Sequence, residues 1–190
     1  MTAIQIFLLI VVLLSIIIGL FNSKIRIVTV FAQQFKIYRN SRTNKLSFFD
    51  LFCFLGIPLI VSCSIVWGFG FYFSEAVTNI LLTVFSIVFS VAFSILSIIA
   101  SKSNSKDEVE QRVASETFTS ITSLTLQLFL SLLLLIGHSI VLQKQPQFLT
   151  LLYLFTNFVL FLGIHSSLLF LMVIKRFYLI CKHNDGGNEK

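Results

Sequence analysis

The sequence predicts an all-α, polytopic integral membrane protein with about five transmembrane helices, four being the alternative count. Three observations carry that prediction. Mean hydropathy is +0.95 and only 12% of residues are charged, which would leave a soluble domain with far more apolar surface than it can bury. The apolar residues gather into five runs, each close to the ~20 residues a helix needs to cross ~30 Å of hydrocarbon. The 14 lysines and arginines gather in short segments beside those runs, as membrane orientation requires and a nucleic-acid face does not.

The runs are Ala3 to Phe21, Phe48 to Phe73, Ala76 to Ala100, Thr119 to Leu142 and Phe148 to Ile174. The first has no basic segment before it and no small-residue cleavage site, and its apolar stretch is longer than that of a signal peptide, so it reads as retained. Between the first two lies "KIRIVTVFAQQFKIYRNSRTNKLS", with Lys24, Arg26, Lys36, Arg39, Arg42 and Lys45 and no acid. Ile25, Val28, Ala32 and Phe35 recur there at helical spacing, so this basic segment, 22–47, is expected to continue the first helix or to lie along the membrane surface. The segment 101–118 differs in kind: Asp107, Glu108 and Glu110 place negative charge where a helix start favours it, so the fourth helix is expected to begin near Asp107. Residues 183–190 read as a disordered tail.

Orientation follows from the Lys/Arg bias of the short loops. With five crossings, the basic segment, then Lys102, Lys106 and Arg112, then Lys175, Arg176 and Lys182 all fall on one side. That side is cytosolic, which puts the N-terminus outside and the C-terminus inside. The basic residues are then placed to meet anionic headgroups of the bilayer or a soluble cytosolic partner. Direct nucleic-acid binding is not expected.

A search for chemistry returns little. Asp50 and Glu75 sit at span ends, so the deep carboxylates of proton-coupled transporters are missing, and no GxGD, HExxH or GxSxG occurs. Cys53 and Cys63 are ~15 Å apart along a helix, beyond disulfide reach. Gly137 to Ser139 and Gly163 to Ser167 put His beside Ser, but neighbouring residues on one helix point in different directions and no nucleophile motif accompanies them. The two spanning histidines, His138 and His165, lie ~20 Å apart in depth and cannot share a metal within one subunit. No catalytic residue, cofactor or metal site is expected, and the chain does not read as an enzyme.

Two sets of intramembrane residues remain. Gln127 and His165 lie ~12 and ~15 Å from the cytosolic face and can meet across the last two helices; Asn157 lies deeper. An interhelical hydrogen bond, a pore lining or a proton path each uses such groups. Ser86, Ser90 and Ser94 recur every four residues, Ser97 extends that face, and Gly163 with Ser167 repeats the spacing in the last span. Small residues at this spacing let helices approach closely in lipid, so they are expected to form helix-packing or oligomerisation faces; a serine-lined channel is the alternative.

The 22 phenylalanines with abundant Ile, Leu, Ser and Asn are what an AT-rich gene encodes, a composition common in mobile bacterial islands. In size, span pattern and the basic stretch Lys24 to Lys45, the whole chain resembles the KwaA family, the membrane component of Kiwa anti-phage defence systems. That family is described with four spans, against five counted here. The resemblance implies a homo-oligomeric sensor of phage infection in the bacterial inner membrane, working with a cytosolic KwaB-like partner, and it carries no catalytic residues onto this chain. The residues alone lead to a sensor or scaffold as well. With no soluble domain and no intramembrane acid, such a chain passes on information through helix packing and through what its loops hold. A pore-forming effector and an immunity protein against a membrane-inserting toxin are the alternatives.

Overall fold

A computed structural model describes residues 27–37, 47–102, 108–144 and 148–186, and every regular element in them is helical. Helix α1 (Ile27–Ile37) is short. It precedes four helices long and apolar enough to cross a membrane: α2 (Phe48–Gly68), α3 (Glu75–Lys102), α4 (Glu108–Lys144) and α5 (Leu149–Gly186). The expected span at 3–21 lies outside the described residues. The protein is an all-α, multi-pass membrane protein with four candidate spans among those residues.

Helix α2 is opened by Ser47, whose hydroxyl accepts the Asp50 N–H at 3.3 Å, a side-chain cap for an otherwise orphan donor. It is α-helical at Phe48–Leu51 and Ile57–Cys63 and π-helical at Phe52–Gly56 and Ser64–Gly68. The expected span Phe48 to Phe73 is shortened, because the helix ends at Gly68 and residues 69–74 are non-helical. Gly70 has φ +64°, a left-handed conformation that costs glycine nothing. Tyr153 packs against the same corner, its ring tilted against Trp67 at 5.7 Å between centroids and edge-to-face with Tyr72 at 5.9 Å. Aromatic rings with a polar edge suit a membrane interface, and this one lies at the end away from the basic segments.

Helices α4 and α5 form the centre. One third of each candidate span is buried, against 11% of α3 and 17% of α2. Helix α3 packs on α4 and α2 packs on α5, while α1 packs on α4. The core joins Ala92 of α3, Ile121, Leu124 and Leu128 of α4 and Leu169 and Val173 of α5; a second cluster joins Phe73, Leu135 and Val159 near the aromatic end. With 37 and 38 residues, α4 and α5 are ~56 Å long and exceed the hydrocarbon thickness. Helix α4 begins at Glu108, close to the expected start. Helix α5 runs to Gly186, so residues 183–186, expected in a disordered tail, are helical.

Candidate functional site

Two clusters of buried polar side chains interrupt this apolar bundle. The first forms around His165 of α5. Pro58 of α2 has no N–H to offer the carbonyl four residues before it, that of Phe54. A neighbouring helix commonly satisfies such a carbonyl in a membrane, and here His165 does so, with Nδ1 2.6 Å from the Phe54 oxygen. A carbonyl can only accept, so Nδ1 carries the proton and Nε2 keeps its lone pair. The Phe161 ring stacks nearly parallel on the imidazole. One residue further on, Ser166 Oγ donates to Gln127 Oε1 at 3.3 Å, and Gln127 Nε2 donates to Ser123 Oγ at 3.3 Å. Gln127 was expected to meet His165; its bond to the last helix goes to Ser166, one residue further on.

Helix α1 completes this cluster. A cavity of about 120 Å³ is lined by Phe31, Gln34 and Phe35 of α1, Leu55 of α2, Gln127 of α4 and Phe161, Leu162 and His165 of α5. Gln34 is 3% exposed and Phe35 is 44% exposed. Of the apolar face read from Ile25, Val28, Ala32 and Phe35, Phe35 is less buried than its neighbour Gln34. Ala32 is exposed, and Gln34 is turned toward a wall that carries Gln127 and His165. Residues 27–37 of the basic segment pack on α4, with Gln34 the residue buried there. Lys36, in the last turn of α1, is exposed, whereas Lys24, Arg26, Arg39, Arg42 and Lys45 lie outside the described residues.

The second cluster centres on His138 of α4, which has no exposed surface. Its donors and acceptors form one consistent chain. Thr78 gives its hydroxyl proton to the Ser74 carbonyl at 2.9 Å and so accepts from His138 Nδ1 at 3.3 Å. That leaves Nε2 to accept from the Thr156 hydroxyl at 3.5 Å, and Thr156 in turn accepts the Phe73 N–H at 3.4 Å. The chain starts and ends on the backbone of the non-helical corner 69–74, and it fastens that corner to α4 and α5. Every polar group in it has a partner, which a dry interior demands.

The remaining expected residues divide. Ser86, Ser90, Ser94 and Ser97 are exposed, and each hydroxyl bonds the carbonyl four residues earlier in α3, at 2.7 to 3.2 Å. They do not pack against the described helices, and α3 turns Phe85, Phe89 and Ala92 inward instead. Gly163 does serve packing: a Cβ there would stand 3.1 Å from the Phe85 ring. Ser167 is exposed and bonds its own helix at Gly163. Asn157 Oδ1 is buried without a hydrogen-bond partner among the described residues. The seam that the sequence reading passed over is on α4, where Thr117, Ser120, Ser123, Gln127, Ser131 and His138 are all buried. Their three- and four-residue spacing was the available signal, masked by Thr119, Thr122 and Thr125 on the other faces. Among the described residues no group of three or more His, Cys, Asp or Glu side chains is placed to hold a metal ion.

No family model, curated protein or solved structure matches the chain. Among the described residues its chemistry is hydrogen bonding within and between helices.

Proposed function

We propose that this protein is a membrane-embedded sensor or scaffold subunit of a bacterial anti-phage defence complex, akin to the KwaA component of Kiwa systems. It sits in the inner membrane as a homo-oligomer and signals membrane disturbance to a soluble cytosolic partner. One observation supports the reading above the others: Gln34, on the helix that belongs to the basic segment, is buried beside Gln127 and His165. A shift of α5 against α4 changes the wall on which α1 rests. It thereby changes how Lys36, Arg39, Arg42 and Lys45 are presented to a partner. A ligand or disturbance moves such an equilibrium only through different contacts in its two states, and the seat of α1 supplies those contacts.

The test is to reverse those four charges to glutamate while reporters confirm that the topology is unchanged. Partner recruitment is expected to be lost, and unchanged recruitment would sink the proposal. A pore-forming effector is the second reading, favoured by the outward serines of α3, which copies of the chain could turn toward a shared axis. Gln127 and His165 are not available to such a lining, being 3% and 4% exposed inside one subunit. Conductance of the purified oligomer in planar bilayers separates the two readings.

A further inference from the structure

The cavity under α1 has hydrogen-bonding capacity left over on its polar wall. His165 lines it; Nδ1 is committed to the Phe54 carbonyl, and Nε2 keeps a lone pair with no partner among the described residues. Gln127 lines it as well. Its amide has two N–H donors and two lone pairs. Ser123 takes one donor and Ser166 fills one lone pair, which leaves one of each. Both side chains are buried, so these groups are cut off from bulk solvent.

Size and lining decide what can serve them. A volume of about 120 Å³ has room for several water molecules at ~30 Å³ each, and falls short of the ~300 Å³ at which pockets for larger ligands begin. A cavity lined by hydrocarbon alone stays dry, whereas one that gives a water roughly two to four polar partners holds it. His165 and Gln127 offer three: an acceptor nitrogen, a donor and an acceptor. Leaving a buried acceptor unmatched costs more than immobilising one water that serves it. We propose that this cavity is a water site, in which water donates to His165 Nε2 and bridges to the Gln127 amide. The rest of the wall, Phe31, Phe35, Leu55, Phe161 and Leu162, is apolar and confines the water to the polar side. Gln34 of α1 borders the same space, so α1 rests on the bundle partly through exchangeable water. The site does not depend on the sensor reading and would serve a scaffold or a pore equally.

The test is water-edited solid-state NMR on the full chain in vesicles of phosphatidylcholine and phosphatidylglycerol, with ¹⁵N-histidine and ¹³C-threonine labels. The chain has three histidines. H183Q removes the one outside the candidate spans, and His138 is recognised by its contacts with Thr78 and Thr156, which leaves His165 as the other. Magnetisation starting on water is expected to reach His165 Nε2 several-fold faster than His138 Nε2, whose lone pair Thr156 occupies. Equally slow transfer at both would mean a dry cavity and overturn the proposal. Leu162→Phe narrows the cavity and is expected to slow transfer at His165 toward the His138 rate, while the His138 to threonine contacts show that the bundle is intact. Fast transfer that survives L162F with those contacts retained would place the water elsewhere and overturn the cavity assignment. A His165 ring protonated at Nε2 instead of Nδ1 would overturn the proposal as well, because water would then meet a donor.

Discussion

At the scale of single residues, the bond from His165 to the Phe54 carbonyl is the most testable contact in the protein. Removing one partner of a buried pair leaves the other unsatisfied, which costs more than the pair's net worth. His165→Leu is therefore expected to destabilise the bundle by ~1–2 kcal/mol, toward the upper end of interhelical hydrogen bonds in membranes. The reading is sharpened by Pro58→Ala, which restores an N–H four residues after Phe54. In that background His165→Leu is expected to cost less, and a double-mutant cycle of unfolding free energies in detergent measures the difference. Strict additivity would show that Pro58 is not the reason for the bond. Thr156→Val tests the second cluster by removing the acceptor of the Phe73 N–H, with an expected loss of ~1 kcal/mol by the same measurement. Little of this was legible beforehand. His165 was picked out as polar and at the right depth, but its partner is a backbone carbonyl 111 residues away, and a carbonyl leaves no trace in a residue pattern. The proline four residues after Phe54, which has no N–H to offer, was visible in the sequence, and only the fold links it to His165.

Among the elements, the long helices followed from hydropathy because the bilayer sets their length. Their inward faces did not follow so simply. In water, the apolar side of a helix is the buried side, but lipid is as apolar as leucine and removes that gradient. The serine ridge of α3 could therefore face in or out, and it faces out, whereas the polar stripe of α4 faces in. Helix α1 shows the same failure in small: its apolar spacing pointed to Ala32 and Phe35, and Gln34 is the residue that is buried. Cysteine labelling checks that placement. With the native cysteines replaced by serine, Q33C is expected to react readily with a water-soluble maleimide and Q34C several-fold more slowly. Equal rates would mean that α1 is not seated. The Phe85 ring of α3 reaches Gly163 of α5, where an added side chain would meet it. Gly163→Val is expected to cost ~1–3 kcal/mol through overpacking, and Phe85→Leu is expected to recover part of it by vacating that space.

For the whole molecule, the outward ridge of Ser86, Ser90 and Ser94 separates folding of one subunit from association of several. Each hydroxyl is already satisfied by its own helix, so the ridge asks nothing of the rest of the subunit. Replacing all three serines by leucine is expected to leave subunit stability within ~0.5 kcal/mol, as for exposed sites with no structural duty. Association is another matter, because close approach of two backbones in lipid depends on small side chains at that spacing. If copies meet along α3, the triple leucine variant loses its oligomer by mass photometry while its thermal unfolding stays unchanged. An oligomer that persists places the contact on another surface, and the exposed aromatic face of α2, with Phe48 and Phe49 83% and 76% exposed, is then the face to substitute next. The two outcomes also bear on signalling. An α3 contact would press on α4, the helix on which α1 rests. An α2 contact lies beside Leu55 and Phe161, the residues that wall the seat of α1, and there assembly and the basic segment would be coupled directly.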